Sequence, residues 1–230
     1  MRKAVLSIQH LLAMFGATVL VPLLTGLDPS VAIFCAGIGT LIFHKCTDLK
    51  VPVFLGSSFA FISVINQVKN TFNGDLSYAQ GGIMVAGLLY IIMSMIIKVA
   101  GPKKVKKYFP PQVTGAMIMI IGLNLLPTAV EMAMNNIIVA IVTLSIAVGI
   151  NKFGRGSIKQ FSVIIAIFIG IAVSAFIGIT DFSAVSKASL FAIPNFSAPK
   201  FSLKAIIIIA PVVLAVFMEH VGDITTNGAV

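Results

Sequence analysis

Apolar residues gather into eight runs along the chain, at about 5–24, 30–46, 51–68, 79–100, 111–129, 135–151, 158–179 and 204–222. Most approach the roughly 20 residues that a helix needs to cross a bilayer. The polar stretches between them are short, and none is long enough for a separate soluble domain. The pattern predicts an all-α polytopic membrane protein with about eight spans. The third run is different. In "VPVFLGSSFAFISVI", Val51 to Ile65, a proline-bearing start with Val51, Val53, Phe54 and Leu55 favours extended backbone, and Gly56-Ser57-Ser58 reads as a turn before a helix that begins near Phe59. A broken span is predicted there, with an unbroken tilted helix as the alternative. Non-helical backbone at membrane depth has to be buried in protein or line a cavity, because lipid supplies no hydrogen-bond partners. A helix that starts at such a depth points unsatisfied N–H groups into that cavity.

Composition agrees with the pattern. The chain is 58% hydrophobic and 10% charged, against roughly 25% charged residues in ordinary soluble domains. Its mean hydropathy is +1.07. Seventeen Phe, nineteen Gly and no Trp suit helices packed through small residues better than alternating barrel strands. Met1-Arg2-Lys3 leads into an apolar stretch without a small-residue cleavage site, so the first span is expected to be retained. Cys35 and Cys46 lie in or beside an apolar run and read as packing residues, not as a disulfide or half of a metal site. The net charge of +9 resides in loops between apolar runs, which argues for membrane orientation and against nucleic acid as a partner. If successive loops alternate sides, one side receives twelve Lys and Arg and the other only four. The positive-inside rule then places the amino terminus in the cytoplasm of a cell whose cytoplasmic membrane holds the protein. The basic stretch "GPKKVKKYFPPQV" fits a loop that fixes topology, and an anionic-lipid site is the alternative.

Ionisable residues inside apolar runs need a role, because lipid penalises them. Gln9 and His10 interrupt the first run, and Glu219, His220 and Asp223 close the last. At helical spacing Glu219 and Asp223 share a face, while His220 points about 100° away. Two carboxylates on one face repel, and one proton bound to the pair relieves them, which is an arrangement for proton coupling. The structural alternative is a Glu219 that merely satisfies a neighbouring donor. A lone His10 is most simply an interhelical hydrogen-bonder.

The stretches "QHLLAMFGATVLVPLL" (9–24), "VPVFLGSSFAFI" (51–62) and "MEHVGDITTNGAV" (218–230) together resemble the nucleobase–ascorbate transporter family, and within it the bacterial uracil-permease branch. The resemblance covers essentially the whole chain in order. It implies a fold of fourteen spans in two inverted seven-span repeats, with a core domain and a gate domain. Residues 1–108 would supply the first part of the core (spans 1–4), 109–203 the first part of the gate (spans 5–7), and 204–230 span 8. The third span would be a short strand followed by a half-helix. By the same resemblance the substrate-binding glutamate falls on Glu219, the half-helix contact on Ser58 and Phe59, largely through backbone N–H, and the small residue opposite the base on Ala17. Gln9 and His10 match a polar network around the site, together with His220 and Asp223. Asp223 matches a position that is His in some members and Asp in others, so the resemblance does not settle the proton-coupling detail. The implied activity is import of a nucleobase, uracil before others, by proton symport across the lipid bilayer, without cofactor or metal, in a protein that forms homodimers through its gate domains. A tenth-span motif with a second carboxylate is absent, so the chain reads as an amino-terminal fragment that by itself transports nothing.

Three rival readings stay open on the residues. A xanthine or other purine permease shares the architecture. A proton or anion channel would also place carboxylates in a span. An intramembrane enzyme is the weakest of the three, because no H-E-x-x-H, cysteine pair or G-x-S-x-G occurs and the other histidines are only His10 and His44.

Overall fold

The computed structural model describes residues 2–51, 53–101, 111–181, 183 and 193–227, with the side chains at 2–9, 12, 13, 100, 111, 113, 114, 117, 118, 157, 160 and 221–227 outside the described set. Its helices are α1 (Arg2–Thr25), α2 (Pro29–Cys46), α3 (Phe61–Thr71), α4 (Ser77–Ala100), α5 (Pro111–Met134), α6 (Ile137–Phe153), α7 (Ser157–Gln160), α8 (Ser162–Phe176), α9 (Leu203–Ile209) and α10 (Val212–Asn227). Seven of the eight apolar runs are therefore helical over most of their length, and the third only from Phe61 onward. The ends carry readable signals. Asp28 caps α2 by accepting from the amides of Ser30 and Val31, with Pro29 in the first turn, where a missing N–H matters least. Asn136 caps α6 through the amide of Val139. Gly26 ends α1 at a φ of +87°, which glycine reaches without strain, and its amide bonds to the carbonyl of Pro22.

The third run is broken, as predicted. Residues 53–58 are neither helix nor strand, a turn follows at Phe59 and Ala60, and α3 starts at Phe61. The amides of Phe61 and Ile62 reach back three residues to the carbonyls of Ser58 and Phe59. The expected short strand is a correction, since no strand occurs among the described residues. A strand needs a neighbouring ladder, and here a side chain occupies that place. The amide of Leu55 donates to Thr40 Oγ1 at 2.9 Å, and that hydroxyl donates to the carbonyl of Ala36 at 2.7 Å. The eighth run is also broken, which the sequence reading did not anticipate. Pro211 has no N–H to continue α9, and the amides of Val213 and Leu214 turn back to the carbonyls of Ala210 and Pro211 before α10 proceeds.

The chain divides into two compact units, residues 1–15 with 125–193, and residues 16–124 with 194–230. In the first, α6 packs against α8. Gly170 on α8 is close enough to Thr143 that an added Cβ would lie 2.7 Å from its hydroxyl. In the second, α3, α4, α9 and the start of α10 enclose a core of Ile65, Val68, Ala79, Ala86, Ala205, Ile209 and Val213. Gly81 lets α4 meet the backbone of Lys200, whose carbonyl a Cβ would overlap. Lys200 is held there by its amide on the carbonyl of Ser77 and by its ammonium on Asp75 at 2.8 Å.

Large apolar side chains stay exposed along the helices, among them Leu41 and Ile42 on α2, Leu88 and Met95 on α4, Ile138 and Leu144 on α6 and Phe168 on α8. Three described stretches, Pro29–Cys46, Ser77–Val99 and Leu203–His220, are long and apolar enough to cross a bilayer. Cys35 and Cys46 are free and exposed on or at the end of α2, where packing residues were expected. Cysteine behaves as a small hydrophobe, so an apolar helix surface suits it as well as a core does.

Candidate functional site

The second unit brings the break in the third run to the carboxylate of the eighth. α10 enters the core with Val213 buried and then Val216, Phe217 and Met218, three consecutive buried residues. At 3.6 residues per turn three neighbours cover most of the helix circumference, so this part of α10 is enclosed. Glu219 and His220 come next and are half-buried. Ser58 donates its hydroxyl to Glu219 Oε2 at 2.7 Å, the short length typical of a hydroxyl on a carboxylate. The same Ser58 oxygen accepts from the amide of Ala60 at 3.3 Å. Ser58 therefore braces the turn that precedes α3 and touches α10 with the same atom. Among the described residues the amides of Gly56, Ser57, Ser58 and Phe59 have no acceptor. That places a run of amides with no acceptor among the described residues immediately before α3, next to the residue that holds Glu219.

An ionised carboxylate offers about four acceptor positions. Ser58 uses one on Glu219, which leaves capacity for a further N–H. The arrangement thus presents an acceptor from one span beside donors from another, the set a small planar ligand with alternating N–H and C=O groups would need.

Other predicted residues are placed differently. Phe59 sits half-buried in the turn before α3, and Ala17 half-buried on α1 next to the buried Thr18. His220 does not share the Glu219 contact: its Nδ1 lies 2.9 Å from the hydroxyl of Tyr90 on α4. His10 is half-buried on the part of α1 that belongs to the other unit. The side chains of Gln9 and Asp223 lie outside the described residues, although both positions are on described helices. Tyr90 was not singled out from the sequence. A tyrosine within an apolar run is an ordinary core residue, and only the fold shows that it meets His220. Elsewhere, a groove of about 520 Å³ lined by Gln67, Thr71, Leu203, Lys204, Ile207 and Ile208 runs between α3 and α9, and it contains none of these residues.

A family model described as the Permease family matches residues 1–230. The chain belongs to this permease family. Similar proteins include a probable uracil permease of Pasteurella multocida (strain Pm70), 37% identical over 238 residues that take in 100% of this chain and 57% of that protein. A uracil permease of Bacillus caldolyticus is 40% identical over 232 residues, covering 94% of this chain and 53% of its own. A uracil permease of Escherichia coli (strain K12) is 37% identical over 235 residues, with 96% and 54% covered. The permease chain therefore spans a little over half the length of these relatives. Family and apolar helices together make it a multi-pass membrane protein. The resemblance seen in the three motifs extends over the whole permease chain.

Proposed function

We propose that the full-length protein containing this chain is a secondary active transporter that imports a nucleobase, uracil before others, by proton symport across the cytoplasmic membrane. The observation that carries the reading is the 2.7 Å hydrogen bond from Ser58 to Glu219, which joins the broken third span to the eighth in a member of the permease family. Relatives named as uracil permeases support the choice of base. In this reading Glu219 accepts a ring N–H and the amides before α3, that of Phe59 foremost, donate to a ring carbonyl. Ala17 limits the pocket opposite the base. Glu219 or Asp223 takes the coupled proton from the outside and loses it inside, with Gln9, His10 and His220 in the surrounding polar network. Residues 1–108 and 204–230 belong to a core domain that moves against a gate domain begun by 109–203. Dimerisation through the gate belongs to the same reading. Binding and motion suffice for this activity, and no covalent step is required.

The test is uptake of labelled uracil by bacteria that lack their own uracil carrier and express the full-length reading frame, with and without a protonophore, beside Glu219→Gln. Saturable uptake that collapses in both controls is expected. Uptake of xanthine in place of uracil would move the substrate to the purines, non-saturating flux would indicate a channel, and uracil uptake untouched by Glu219→Gln would remove Glu219 from the site.

A further inference from the structure

The polar end of α10 is held at two points by two different elements. Glu219 takes the hydroxyl of Ser58, at the entry to α3, and Nδ1 of the next residue, His220, lies 2.9 Å from the hydroxyl of Tyr90 on α4. Successive residues on a helix point about 100° apart. A rotation or slide of α10 that preserved one of these contacts would break the other. The aromatic packing adds stiffness in the same place. The Tyr90 ring meets the His220 ring edge-on at 5.8 Å and the Phe217 ring edge-on at 6.2 Å, so the phenol has neighbours on α10 at two helix positions.

We infer that Tyr90 is a positioning residue, which fixes the orientation and tautomer of His220 and thereby the rotation of α10 that presents Glu219 at Ser58. This rests on the reading of Glu219 as the base-binding carboxylate. The phenolic O–H is a better donor than a neutral imidazole N–H, and an unprotonated imidazole nitrogen is a better acceptor than a phenol oxygen. Tyr90 therefore donates to Nδ1, and the ring proton resides on Nε2, since the bond made at one nitrogen sets which of the two is protonated. His220 then offers a fixed N–H donor on the side away from α4. Tyr90 itself touches neither the base nor the proton that is moved. Its effect passes through His220.

The deciding experiment uses the full-length protein in lipid nanodiscs, labelled with ¹⁵N-histidine and ¹³C-glutamate, with the His220 and Glu219 signals identified by their loss in His220→Gln and Glu219→Gln. A single Nε2–H tautomer is expected for His220. In Tyr90→Phe, which keeps the ring and loses only the hydroxyl, that signal should become a tautomer mixture and the Glu219 carboxyl signal should shift. In uptake, the same variant should raise KM for labelled uracil by about three- to ten-fold, the size of one lost hydrogen bond, with the maximal rate per transporter within about two-fold. A purely structural loss would lower the amount in the membrane and leave KM alone. An unchanged His220 tautomer, an unmoved Glu219 signal or an unchanged KM would each overturn the proposal. If the wild type takes up no base at all, the proposed function fails, while the two NMR signals still decide the role of Tyr90. Should Tyr90→Phe not reach the membrane, a fluorotyrosine at position 90 changes only the hydroxyl's donor strength and must shift the same two signals.

Discussion

Ser58 does three jobs with one side chain and its carbonyl. Its hydroxyl donates to Glu219 and accepts from the amide of Ala60, and its carbonyl receives the amide of Phe61. A hydrogen bond to a charged group is worth about 1.5–3 kcal/mol, and the lower end applies here because Glu219 is only half-buried. Ser58→Ala is therefore expected to weaken nucleobase affinity roughly ten-fold, while Ser58→Thr, which keeps the hydroxyl, stays much closer to the wild type. The concentration dependence of uptake measures both. Equal affinity in the alanine variant would mean that the contact with Glu219 is incidental. Thr40 has the corresponding role on the other side of the break. It is 8% exposed and satisfies the amide of Leu55. Thr40→Val is nearly isosteric but strands that amide, so a loss of about 1–3 kcal/mol is expected, visible as a lower melting temperature of the detergent-purified protein.

Among the elements, two neighbouring glycines let α4 approach residues 194–202 at Gly81 and α9 at Gly82, and their replacements should behave differently. A Cβ at Gly81 overlaps the carbonyl of Lys200, which is backbone and cannot swing away, whereas a Cβ at Gly82 lies 2.6 Å from the terminal Cδ1 of Ile209, which can. Gly81→Ala should displace that segment and expose it to protease, and Gly82→Ala should leave it seated, which limited proteolysis would show. The clasp between Asp75 and Lys200 has a defined pH window. The hydrogen bond from Lys200, then those from Ser77, hold the Asp75 carboxyl down to about 2 from its ordinary 3.8, while the same carboxylate raises the Lys200 ammonium. A lowered carboxylate contributes fully above about 3.8 and loses that contribution as pH falls through about 2. A spin label at Asn195 should accordingly keep its mobility down to pH near 4 and loosen below it, and Asp75→Asn should abolish that step. Local sequence was legible where backbone chemistry is local. The break at Gly56-Ser57-Ser58 is readable, and Pro211 carries an equally local signal, a missing N–H inside an apolar run. Glu219 could be singled out because lipid penalises a carboxylate. Ser58 was expected as a binding residue, but its bond to Glu219 spans 161 residues and the contact between Tyr90 and His220 spans 130, and neither leaves a local trace.

At the scale of the whole molecule, the basic residues fall in a pattern that the helices make physical. Lys45, Lys98 and Lys152 stand in the last turns of α2, α4 and α6, alternate helices of the apolar series. A cation there is favoured by the helix dipole, since the carboxyl-terminal turn carries partial negative charge. If the series crosses the membrane alternately, these three ends share a side with Arg2, Lys3 and the basic stretch from Lys103 to Lys107, which accounts for the excess of twelve basic residues over four. The same side is then cytoplasmic. The prediction is a topology that reporters can read. Alkaline phosphatase, active only outside the cytoplasm, should be active when fused after Met134, at the turn of Asn135 and Asn136, and inactive when fused after Gly101. The reverse result would invert the orientation and place Glu219 at the other end of the translocation path. Activity at both points would mean that α5 does not cross, and the eight-span arrangement would have to be withdrawn.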